Sequence, residues 1–136
     1  MSSYGPSITL DVARTAAAAA IAEARRHTWD MAVAIVDTAG SLVYFEKMDD
    51  TQAGSVAVAQ AKARSAALFK RPTKAFQDTL AAGGEGLRVL GLLGAVPVEG
   101  GLPLFIDGKI AGAIGVSGGT SGQDGQCAQA GVAALP

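Results

Sequence analysis

The chain has 136 residues, 11 of them Lys or Arg and 12 Asp or Glu, for a formal net charge of −1. Its length suits a single domain, residues 1–136, and 49% hydrophobic against 17% charged residues exclude a disordered chain. The near-neutral charge gives no electrostatic reason to bind nucleic acid, and one cysteine excludes an internal disulfide. No apolar run is long enough for a membrane span, and the first residues lack the features of a signal peptide. We therefore expect a cytoplasmic protein.

The first elements are an alanine-rich helix and a hairpin. Thr9 is a suitable N-cap for a helix that continues to about Arg26. The short apolar run 31–36 predicts a buried strand. The turn residues 37–41 then lead into a second strand, 42–48.

The next predicted helix, residues 53–70, is apolar around most of its circumference. We expect one of Asp49, Asp50 and Thr51 to cap it and Pro72 to end it, followed by a short helix over 73–80. In so small a domain, a helix with two apolar sides predicts a sheet beneath it and another subunit above it. The pattern therefore predicts a homo-oligomer.

A second hairpin is the strongest local signal in the chain. Asp107-Gly108 separates the apolar runs 102–106 and 109–116, which favours a type I′ turn because both of its central residues need positive φ. Ser121 and Asp124 then have the spacing of a capping box for a last helix. Two hairpins among helices predict an antiparallel sheet flanked by helices, in the α/β (α+β) class.

The loop between the last strand and the last helix is a candidate anion site. Its residues Ser117, Gly118, Gly119 and Thr120 can point backbone N–H groups at a carboxylate, and the helix dipole adds partial positive charge. The glycines match neither a P-loop nor a dinucleotide-binding fingerprint. A tight turn that needs glycine for its backbone angles explains the loop equally well.

Lys62 is the second candidate for binding an anionic ligand. It lies in the middle of an apolar helix, where its ammonium group can serve as a fixed cation. The alternative is that its stem packs and its ammonium group reaches water. All charged residues between 51 and 77 are basic. This segment either attracts anions or forms a solvated face of the protein.

His27 is the one histidine, so a multi-histidine metal site within one chain is excluded. It is the candidate imidazole ligand for iron, and its place at a helix C-terminus equally suits a residue that compensates the helix dipole. Cys127 is most simply a small buried side chain.

Several separated stretches share their order and sequence with a known family. They are residues 31–40 with 47–49, 61–66 with 71–73, and 100–104 with 112–119 and 123–124. These stretches resemble the GlcG/HbpS haem-binding family, which is related to the C-terminal domain of PduO. The resemblance implies a profilin-like α/β/α sandwich with a central antiparallel sheet of about five strands, a homo-oligomer, and haem or corrinoid handling.

The sequence thus predicts a cytoplasmic, homo-oligomeric protein that binds a small anionic ligand, with haem as the leading candidate. The alternative is an enzyme of isomerase, tautomerase or hydrolase type that acts on a small carboxylate metabolite in catabolism. In that alternative, Lys62 neutralises or protonates the substrate and the amides of 117–120 hold its carboxylate or an oxyanion. An accessory subunit without ligand chemistry is the third possibility.

Overall fold

The computed structural model describes residues 2–136 and contains two hairpins separated by helices, as predicted. In chain order the elements are α1 (Leu10–Arg26), β1 (Ala32–Val36), β2 (Leu42–Lys47), α2 (Ser55–Phe69), α3 (Thr73–Ala81), a 3₁₀ helix (Gly84–Gly91), β3 (Gly101–Ile106), β4 (Lys109–Ser117) and α4 (Ser121–Ala133). The predicted bounds agree to within two residues wherever a hydrophobic period or a turn signal was present.

The four strands form one antiparallel sheet in the order β2-β1-β4-β3. The resemblance to the family implies about five strands, one more than this sheet contains. The glycine-rich stretch between α3 and β3 forms a 3₁₀ helix and loops, so it adds no strand. The two hairpins therefore join through β1 and β4 in the middle of the sheet, while β2 and β3 are its edges.

Helices cover both faces of the sheet and make a sandwich. On one face, the alanines of α1 and the middle of α4, at Cys127 and Ala128, pack on the sheet residues Val33, Ile35, Ile114 and Val116. On the other face, four alanines of α2 pack on the small residues Ala32, Ala34 and Ala113. Gly115 lies directly under α2, where a Cβ atom would collide with the backbone oxygen of Ala59. The fold class is thus confirmed, and small side chains bring its layers close together.

Two predicted helix caps are wrong. No side chain caps α2, whose N-cap is Gly54 rather than one of residues 49–51. The capping box of α4 lies one residue earlier than predicted, between Thr120 and Gln123. Asp124 is unavailable for capping in the predicted way because its side chain is turned into the protein. The prediction for α1 is confirmed, since the Thr9 hydroxyl accepts from the N–H of Val12.

The turns agree with their sequence signals. Asp107 and Gly108 both have positive φ, +52° and +74°, as a type I′ turn requires. The C-cap of α2 is Lys70, which has the left-handed φ of +54°, and Pro72 is the N-cap of α3. No helix within residues 2–136 combines the length and the apolar character that crossing a bilayer needs.

Candidate functional site

Lys62 is buried in the core. It projects from α2 with 1% of its surface exposed, and its Nζ atom lies 2.8 Å from Oδ2 of Asp124 and 3.0 Å from the backbone oxygen of Val116. The ammonium group therefore does not reach water, and that alternative for Lys62 is wrong. It is held by a carboxylate from α4 and a carbonyl from β4.

Asp124 also accepts from the predicted anion-binding loop. Its Oδ1 atom takes the backbone N–H of Gly119 at 2.9 Å, while the N–H of Thr120 donates to Oε1 of Gln123 at 3.1 Å. Lys62 and the loop amides thus meet in one place, and the carboxylate between them belongs to the chain itself. An external carboxylate at this place would have to compete with Asp124.

The remaining two residues of the loop are buried or tightly packed. The Ser117 hydroxyl lies 3.0 Å from that of Ser55 on α2, within the protein. Gly118 has φ +153°, and a Cβ atom there would meet the backbone of Asp30 and Met31. The structure therefore brings Lys62 and residues 117–120 together, and binding of an external anion by them stays a prediction.

His27 lies apart from this cluster, at the end of α1. Its ring stacks on Trp29 with centroids 4.4 Å apart, and its Nε2 atom is 3.1 Å from both Oε2 of Glu23 and Nε2 of Gln126. The hydrogen bond from Gln126 lowers the pKa of Glu23, which keeps a negative charge beside the imidazole. His27 is partly exposed at the junction of α1 and α4, and its role as an iron ligand stays a prediction.

A groove runs along the edge strand β3, between the start of α3 and α4. It consists of two cavities of about 430 and 260 Å³ that share Pro72, Leu102 and Gln129 in their walls. We call it the β3 groove. Gln126, the hydrogen-bond partner of His27, lines the larger cavity. The groove therefore reaches the residue that holds the imidazole.

The two ends of the β3 groove differ in polarity. The larger cavity contains the charged side chains of Lys74 and Glu99, whereas the smaller one is walled by Pro103, Phe105 and Val132 with Lys70 beside them. These residues belong to segments far apart in sequence. The basic character of residues 51–77 is visible in the sequence, whereas no local pattern indicates the apolar residues that complete the groove.

The floor of the larger cavity lies on Lys62 and its two hydrogen-bond partners, Asp124 and the backbone oxygen of Val116, which we call the Lys62 cluster. Gly100 and Gly101 line this cavity, and a Cβ atom at Gly100 would stand 2.8 Å from Nζ of Lys62 and 3.0 Å from Cβ of Asp124. Any residue larger than glycine at position 100 would therefore crowd the buried ion pair. The predicted cation is thus directly beneath the groove, covered by one backbone segment.

Other reactive groups in the described chain are few. Within residues 2–136, His, Cys, Asp and Glu side chains form no group of three that could hold a metal ion. Cys127 is buried as predicted, and burial raises the pKa of its thiol to about 12.

Comparison with known proteins adds a family to this geometry. The family model described as "Haem degrading protein HbpS-like" matches residues 8–133. The GlcG protein of Escherichia coli K12 is 37% identical over 95 residues, which are 70% of this chain and 69% of GlcG. A double mutant of HbpS from Streptomyces reticuli superposes with a TM-score of 0.88 and 29% identity, over 98% of this chain and 90% of that one. A PduOC–haem complex has a TM-score of 0.84 and 28% identity, over 94% of both chains.

Proposed function

The chain belongs to the HbpS-like family, and from that premise we propose that it binds haem. The observation that carries the proposal is the likeness to a solved haem complex, which extends over 94% of the chain. A small anionic ligand is the broader class to which haem belongs, because its two propionates are carboxylates.

The residues of the β3 groove fit a porphyrin. A porphyrin needs apolar contact for its ring and donors for its propionates, and the groove offers Leu102, Phe105 and Val132 beside Lys70 and Lys74. When bound, haem supplies a redox-active iron. The groove residues would hold and orient the ring. His27 is not in the wall of either cavity and contacts the groove only through Gln126.

His27 is the proposed iron ligand. To bind iron through Nε2, the imidazole must release the exposed Gln126 and the partly buried Glu23. We expect His27→Ala to shift or abolish the Soret band of the loaded protein, because the axial ligand sets the electronic state of the iron. Absorption spectra of both proteins at matched loading test this. An unchanged spectrum would remove His27 from the site.

The Lys62 cluster has a supporting role in this proposal. Lys62 and Asp124 hold the N-terminus of α4 against β4. They also pack beneath Gly100, which forms the floor of the groove. Direct contact of a ligand with Lys62 or residues 117–120 requires that Asp124 move.

We also propose that the protein is a homo-oligomer. Beyond α3, large apolar side chains are left at the surface, among them Leu93 with 95% and Leu90 with 71% of its surface exposed. Several large apolar side chains exposed in one short segment are typical of an interface. The prediction from sequence rested on α2, where Val58 and Leu68 are exposed as well.

A further inference from the structure

Two lysines that are close in sequence line the β3 groove. Lys70 is the C-cap residue of α2 and has a left-handed backbone conformation, and Lys74 lies in the first turn of α3. Pro72, between them, lines both cavities. The turn that joins the two helices therefore contributes two cations to the lining of the groove.

Lys70 has no acidic partner within the described chain. The ion pairs of residues 2–136 involve other cations. Its Nζ atom lies instead 4.6 Å from the centroid of the Tyr4 ring, whose hydroxyl group donates to the backbone oxygen of Ala67. The ring thus holds a cation beside the apolar end of the groove without neutralising it.

Apart from Lys70 and Gln129, the lining of the smaller cavity is apolar. Phe105, with 37% of its surface exposed, and the half-buried Leu102 come from the edge strand β3, and Val132 comes from α4. A flat apolar ring with carboxylates along one side matches the apolar residues and the two lysines at once. Resting on the proposed function, we propose that haem lies in the β3 groove with its ring against Leu102 and Phe105, one propionate on Lys70 and the other near Lys74.

Lys70 is the stronger of the two cations for this contact. Lys74 already donates to both carboxylate oxygens of Asp78 at 3.0 Å, and Glu99 in the same cavity repels a propionate placed beside it. The pair with Asp78 is exposed, and exposed ion pairs are weak enough for a propionate to share the lysine. We therefore assign the larger effect to Lys70.

The test compares ferric haem with its dimethyl ester, in which both propionates are neutral. Each is titrated into the full-length protein and into Lys70→Met, with binding followed by the Soret absorbance. We expect Lys70→Met to weaken haem binding about five- to tenfold, between the effects of an exposed ion pair and of a charge-assisted hydrogen bond. The ester has no charge to lose, so its affinity should change less than about twofold.

Two control variants make the result specific. Lys47→Met removes an exposed lysine from the opposite edge strand β2 and should leave both affinities unchanged. Lys70→Arg keeps the charge and should retain haem affinity. A Lys70→Met protein that loses haem and ester equally, or loses neither, would overturn the assignment of the propionate. A wild-type protein that binds neither compound would overturn the proposed function and this inference together.

Discussion

Lys62 and Asp124 are the buried charged side chains of the described chain. Removing two charges from water is costly, and the cost is offset only when their hydrogen bonds are satisfied. Here the ammonium group has a carboxylate and a carbonyl, and the carboxylate has an ammonium group and a backbone N–H. The pair ties α2 to α4 and β4, which are far apart in sequence.

Removing one member of this pair should be strongly destabilising. We expect Lys62→Met to lower the free energy of unfolding by about 3 kcal/mol, because it leaves the Asp124 carboxylate buried without its cation. Urea denaturation measures the change, with Lys47→Met as the exposed control, for which we expect less than about 0.5 kcal/mol.

The double variant Lys62→Met/Asp124→Asn should recover part of this loss. Its amide oxygen still accepts from Gly119, and no charge is left buried. A loss below about 1 kcal/mol for Lys62→Met alone would show that the ion pair is not the element that holds α4 in place.

Cys127 gives a pH-dependent prediction. Burial raises the pKa of its thiol from 9.0 to about 12, so above pH 9 the unfolded chain loses this proton first. The unfolded state then binds fewer protons than the folded one, and the thiol's contribution to stability falls as pH rises from 9 towards 12. Cys127→Ala should show a smaller fall over this window. Denaturation curves at pH 8 and 10 measure the difference, and equal slopes for both proteins would contradict it.

At the residue scale, the sequence singled out Lys62 and the loop 117–120 and left the partner of Lys62 unassigned. A lysine among alanines is conspicuous in a helix, but its carboxylate lies 62 positions away, and no local spacing indicates such a pair. Asp124 was predicted to be a capping residue because an acidic side chain in the first turn of a helix is typical of that role.

At the scale of the elements, α2 packs very closely on β4. Gly115 faces backbone atoms of Ala59 and Ala63 where any Cβ atom would collide, whereas Gly122 in α4 has open space around its Cα. The same substitution therefore has opposite expected effects at the two positions.

Gly115→Ala should destabilise the fold by more than about 2 kcal/mol, because backbone cannot move aside as a side chain does. Gly122→Ala should stabilise it by up to about 1 kcal/mol, since alanine is the better helix former. Thermal unfolding of both variants tests the pair. A Gly115→Ala protein as stable as the wild type would mean that α2 does not lie this close to the sheet.

The elements were largely predictable because their signals are local. The alternation of apolar residues, the Asp107-Gly108 turn and the Thr9 cap each lie within a few residues of the element they specify. The 3₁₀ helix Gly84–Gly91 was not predicted, because the segment is short and its glycines, Gly84, Gly86 and Gly91, are poor helix formers.

For the whole molecule, the exposed leucines after α3 test the predicted oligomer. We expect light scattering to give a mass well above the 13.6 kDa of one chain. Leu90→Glu/Leu93→Glu should shift the protein towards the monomer, because it places charge in an apolar interface and removes nothing from the core. A wild-type monomer at micromolar concentration would contradict the prediction, and an unchanged assembly of the variant would place the interface elsewhere, on α2.

The β3 groove is a property of the whole molecule and was beyond sequence reasoning. Its walls come from the turn after α2, from the edge strand β3 and from α4, and only the sheet order places them together. The resemblance to a haem-binding family supplied the ligand class, and the fold supplied the groove in which we propose that the ring and the carboxylates are held.

Haem binding itself is tested most directly by titrating the purified protein with ferric haem and following the Soret band. We expect a shifted band that saturates at a fixed ratio of haem to chain, and a weaker response from Lys70→Met than from Lys47→Met. Addition of haem without any spectral change, at concentrations where an unrelated haem protein is saturated, would contradict the account.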